Sequence, residues 1–86
     1  MSDLKEKFAK ASVEVKSLPR KPDNDTLLKL YALFKQGSEG DVSGDRPGAF
    51  DFVNRAKHDS WAEMKGLSQE EAMQKYIDLV TSLLAG

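Results

Sequence analysis

No cysteine occurs among the 86 residues, so neither a disulfide framework nor a thiolate zinc site can stabilise the chain, and a reducing cytoplasm suits it. No stretch approaches the ~20 consecutive apolar residues of a bilayer span, which argues against stable membrane insertion. The opening Met1-Ser2-Asp3-Leu4-Lys5 lacks the basic region and apolar run of a secretory signal. Charge of one sign is missing too. Thirteen Lys and Arg stand against fourteen Asp and Glu, a net charge of -1, without the broad positive field of a general nucleic-acid binder.

Chemistry finds equally little purchase. The single histidine, His58, is followed by Asp59 and Ser60, but three consecutive helical residues point in three directions and cannot converge as a triad. The run Asp41, Ser43, Asp45 hints at a calcium loop, yet its sixth position is Arg46 where glycine is required and its twelfth is Phe52 where glutamate is required. Gly37, Gly40 and Gly44 do not have the spacing of a Walker phosphate loop. Glu70 and Glu71 fall in a first helical turn, where they answer the helix dipole. The expectation is a non-enzyme with no catalytic residues, no metal and no cofactor.

What the sequence does contain is helical periodicity. Leu4, Phe8, Ala11, Val15 and Leu18 recur at steps of three and four, and Pro19 and Pro22 end that first stripe. A second helix opens after Pro22 with Asp23, Asn24 or Asp25 as cap; Leu27, Leu30, Tyr31 and Phe34 share a face that Leu28 and Leu33 widen. From Gly37 to Gly48 come four glycines, one proline and no period, which reads as a long connection. Phe50, Val53, Lys57, Trp61 and Met64 carry a third helix with Gly66 just past its end. Ser68 and Glu71 form a capping-box signature for the fourth, whose stripe is Met73, Tyr76, Ile77, Val80 and Leu83 or Leu84. Residues 1–86 are therefore expected to form one all-α domain, a four-helix bundle with a long crossover loop between helices 2 and 3.

On the second helix Tyr31, Phe34 and Lys35 lie within about one turn, joining aromatic faces to a cation. Such a set can stack a base and neutralise a phosphate, although an aromatic pair at this spacing is usually core. The segments LYALFKQGSEGD, from Leu30 to Asp41, and RPGAFDFVNRAKHDSWAEMKG, from Arg46 to Gly66, resemble the acyl-CoA-binding protein family. The resemblance extends more loosely from Phe8 through Val15, Leu18 and Pro22 to Tyr76–Val80. It implies a four-helix bundle that binds medium- to long-chain acyl-CoA esters without catalysis and serves as an intracellular carrier, monomeric and cytoplasmic. The ester is then a bound ligand, not a cofactor.

By the same resemblance, Tyr31 and Lys35 contact the nucleotide and its phosphates, Lys57 meets the ribose 3'-phosphate, Tyr76 lies beside the ester, and Lys16 stands near the mouth of the site. Phe34 occupies a position where the family usually has tyrosine, and His58 one where tryptophan is common. Arg46, Pro47 and Gly48 form a turn that fixes the loop, while Trp61 reads as structural. The competing expectation is a helical protein-interaction module that grips a partner helix with the same aromatics.

Overall fold

The computed structural model describes residues 3–86, and Met1 and Ser2 lie outside the described residues. Four α-helices follow one another: α1 (Asp3–Glu14), α2 (Asn24–Glu39), α3 (Phe52–Ala62) and α4 (Gln69–Leu84). No strand occurs among the described residues. The bundle is all-α, with its longest connection, Gly40 to Asp51, between α2 and α3. Helix α2 packs against both α3 and α4, and α1 rests mainly on α4.

Each helix begins where its sequence offers an oxygen to an unpaired backbone N–H. Asp23 is the residue that caps α2, accepting from Thr26 N at 2.8 Å. Asp51 caps α3 through Asn54 N at 3.4 Å. The capping box of α4 is formed in both directions, Glu71 N to Ser68 Oγ at 3.1 Å and Ser68 N to Glu71 Oε1 at 3.3 Å.

Four boundaries differ from the periodic reading, one being the end of α3, which stops at Ala62 and leaves Met64 and Gly66 in the turns that follow. The first stripe does not continue as α-helix to Leu18: α1 stops at Glu14 and tightens into a 3-10 turn over Val15–Ser17. The cause is Pro19, which disfavours helical geometry at the residue before it, and Leu18 is accordingly extended. Gly37 does not open the loop but lies buried inside α2. A β-carbon there would sit 3.0 Å from the Phe8 ring and 3.2 Å from Met73, so the missing side chain is what lets α2 approach the neighbouring helices. The helix ends instead at Gly40, whose φ of 86° suits only glycine well. Finally, Phe50 precedes α3 and is 91% exposed, so the third stripe is core only from Trp61 onward.

The core is assembled from Phe8 and Ala11 of α1, Leu30 and Leu33 of α2, and Met73, Tyr76 and Val80 of α4. Trp61 anchors α3, buried with its indole N–H donating to Gly40 O at 2.8 Å. At the foot of α2, the fully buried Gln36 donates its amide to Asp41 Oδ1 and to Leu67 O, both at 2.8 Å. The same Asp41 oxygen accepts from Gly66 N at 3.0 Å. Arg46 clasps Asp59 with two bonds, at 2.9 and 2.7 Å, and so holds the crossover loop against α3.

Candidate functional site

Helix α2 presents Tyr31, Phe34 and Lys35 within one turn, and α3 runs alongside it. Lys57 of α3 places its ammonium 5.4 Å from the centre of the Tyr31 ring, within cation-π range. Both residues line a groove of about 380 Å³ whose other walls are mainly apolar: Leu27 and Leu28 from α2, Phe52, Val53 and Ala56 from α3. Phe52 is 73% exposed and Val53 66% exposed, so the groove has large hydrophobic side chains standing open along one side. Together they form an exposed apolar patch along the groove.

Phe34 continues the aromatic surface toward α4. Its ring stacks on Phe8, with centroids 5.4 Å apart and planes 23° from parallel, and lies 5.8 Å from Tyr76. Tyr76 meets Phe8 edge-on at 5.2 Å. Tyr76 is only 4% exposed. Burial raises its pKa above the usual phenol value, which keeps it a neutral hydrogen-bond donor.

Lys35 reaches the other way. Its ammonium is ion-paired with Glu39, one turn further along α2, and lies 4.9 Å from the centre of the Trp61 ring. The bond to Glu39 holds the Lys35 pKa above its ordinary value, with burial opposing. The candidate residues thus fall into three local groupings, Lys57 with Tyr31, Phe34 with Phe8 and Tyr76, and Lys35 with Glu39 and Trp61, which neighbour one another along α2. Lys16 is the exception: it is exposed on the 3-10 turn after α1 and engages none of these rings or charges.

A larger hollow of about 890 Å³ lies along the flank of α2 that carries Lys29 and Leu33, closed by α4 and the turn before it. None of the candidate residues lines it. Its lysines alternate with Glu63, Glu71 and Asp78, and no aromatic ring is present for stacking. The α2–α3 groove is the better fit to a ligand with an anionic, aromatic end and an apolar end.

The sequence model of the family described as Acyl CoA binding protein matches residues 5–80. The chain belongs to the acyl-CoA-binding protein family. It is 50% identical over 78 residues to Acyl-CoA-binding protein homolog 1 of Caenorhabditis elegans, covering 91% of each chain. It is similar in structure to Oryza sativa Acyl-CoA-Binding Protein 2, with a TM-score of 0.91 at 41% identity, covering 95% of this chain and 91% of that one. A third relative is an enzyme. Enoyl-CoA delta isomerase 2 of Rattus norvegicus is 46% identical over 83 residues, covering 96% of this chain but 21% of the enzyme.

Two departures from the acyl-CoA-binding protein pattern can now be placed. Phe34 keeps its ring in the aromatic set, so stacking is preserved without a hydroxyl. His58 is mostly covered and points its Nε2 at Gly44 O, 3.4 Å away, on the crossover loop. Groove-lining apolar residues that were not among the sequence candidates are Leu27, Leu28, Phe52, Val53 and Ala56. Their signal in the sequence was present but ambiguous, since apolar residues at helical spacing ordinarily read as core.

Proposed function

We propose that this protein binds medium- to long-chain acyl-CoA esters and carries them without transforming them, with residues 1–86 acting as one acyl-CoA-binding domain. The observation that carries the reading is the pairing of the Lys57 ammonium with the Tyr31 ring at the side of an apolar groove. A CoA ester needs that juxtaposition, because phosphates and adenine occupy one end of the molecule and hydrocarbon the other. Tyr31 and Phe34 offer faces to the base, Lys57 and Lys35 neutralise phosphates, and the Tyr76 hydroxyl is available to a polar atom near the thioester. Leu27, Leu28, Phe52, Val53 and Ala56 cover the tail. Lys16, on its exposed turn away from these groups, enters the reading only through its match to the family pattern.

A carrier role follows from the chemistry of the set: it supplies charge, ring faces and apolar cover, and no nucleophile aimed at the thioester carbon. Neither a cofactor nor a nucleic acid enters this reading, and the protein works as a monomer in the cytoplasm. No helix among the described residues is long and apolar enough to cross a membrane.

Calorimetric titration with a series of acyl-CoA esters tests the proposal. Full burial of a methylene is worth ~0.8 kcal/mol, and the groove is open along one side, so affinity should rise about two- to fourfold per carbon until the groove is full. Equal affinity for CoA and its dodecanoyl ester would overturn the reading.

A further inference from the structure

The Lys35–Glu39 pair is an odd choice as a stabilising device. Both residues lie in the last two turns of α2, and Glu39 is its final residue, followed by the Gly40 cap. A carboxylate at that end faces the negative pole of the helix dipole. A lysine four residues before a glutamate is also the weaker orientation of such a pair. Half of the Glu39 side chain is exposed to solvent, whereas the Lys35 side chain is largely covered and rests over Trp61.

We infer that Glu39 is an internal stand-in for a ligand phosphate: its carboxylate occupies the Lys35 ammonium in the free protein and must be displaced when the nucleotide head binds. This rests on the reading of Lys35 as a phosphate contact. Glu39 is then a positioning residue that sets affinity through Lys35 without itself touching the ligand productively. Displacement is made easy by its place at the helix end, where releasing the carboxylate to water relieves its conflict with the dipole. In the free state the pair keeps the lysine folded over Trp61 and out of the α2–α3 groove, so a covered cation is not left without a counter-charge. A ligand of one weak negative charge exchanges poorly with a carboxylate already in place, whereas clustered phosphates exchange well. Glu39 thereby discriminates by charge before the tail is engaged.

The test is a double-mutant cycle read by calorimetry with free CoA and with dodecanoyl-CoA, on wild-type protein, Glu39→Gln, Lys35→Ala and the double variant. Glu39→Gln should tighten both ligands by the same factor, roughly 1.5- to twofold at about 0.02 M salt, because the tail is remote from the pair. The gain should shrink toward unity at about 0.5 M salt and disappear in the Lys35→Ala background. Glu6→Gln on α1 makes the same change in net charge and should leave affinity as it is. Glu39→Gln binding no more tightly than wild type would overturn the inference, as would a gain that persists without Lys35. Lys35→Ala that binds CoA as well as wild type would instead remove Lys35 from the site and take the inference with it. Unfolding midpoints of the four proteins report any change in the fold separately.

Discussion

Phe52 gives the sharpest way to separate the tail site from the fold. Full burial of a phenylalanine side chain is worth up to ~3 kcal/mol, and Phe52 is 73% exposed, so the fold draws on only about a quarter of that and Phe52→Ala should cost under ~1 kcal/mol of stability. The remaining surface borders the groove. A tail lying along one side of the ring covers about half of what is free, or ~1 kcal/mol, which corresponds to about a fivefold loss of affinity. That loss should appear only for ligands long enough to reach Phe52. Calorimetry of the variant is expected to show dodecanoyl-CoA weakened about fivefold and free CoA unchanged, with the urea unfolding midpoint nearly that of wild type. If both ligands weaken equally, or neither does, the assignment of the groove to the tail is wrong.

Three other outcomes follow from the geometry. Lys57→Ala should weaken acyl-CoA binding by roughly 1.5–3 kcal/mol, the range for a hydrogen bond to a charged group, while circular dichroism and melting stay close to wild type. Gln36→Glu replaces the amide donor to Asp41 and Leu67 by a buried carboxylate facing two oxygens; it should cost at least ~3 kcal/mol near neutral pH, and the loss should shrink on acidification as the new carboxyl protonates. Asp41, held low by the Gly66 N–H and the Gln36 amide, Asp59, held low by Arg46, and Asp23, held low by Thr26, all have depressed folded pKa values. Their contribution is therefore present above about pH 4 and lost as pH falls through the folded values. Urea midpoints measured from neutral pH downward should drop below about pH 4, and Asp41→Asn should flatten that drop.

How much of this was legible in the sequence depends on how local the determining physics is. The capping box of Ser68 and Glu71 and the stripe of α4 are set by residues a turn apart and were readable, while the cap of α2 was narrowed to Asp23, Asn24 or Asp25 before the structure selected Asp23. Arg46 as a fastener of the loop and Trp61 as a structural anchor were also foreseen, though their partners, Asp59 and Gly40, were not. Gly37 misled the reading because its role is set by Phe8 and Met73 on other helices, and helix propensity alone places a glycine at an end. The overrun of α1 has a local origin: Pro19 was read as the stop, but its restriction of the residue before it was not carried back to Leu18. Among the candidate residues, the Tyr31, Phe34 and Lys35 cluster on α2 was visible in spacing, whereas Lys57 and Tyr76 reached the site through a likeness to known sequences. No pattern in the chain pointed to Glu39, since an i, i+4 pair on a helix is too common to signify anything before the cation is seen over Trp61.

The shared oxygen of Asp41 has a bearing on motion as well as stability. It draws hydrogen atoms from a side chain deep in α2 and from the backbone just ahead of α4, while the Gln36 amide also holds the carbonyl of Leu67. Three stretches of chain are riveted at one spot, so none of them can fray without the others. Amide exchange with deuterated water should therefore find the Gly66 N–H opening at the pace of the last turn of α2, far more slowly than its surface location would imply.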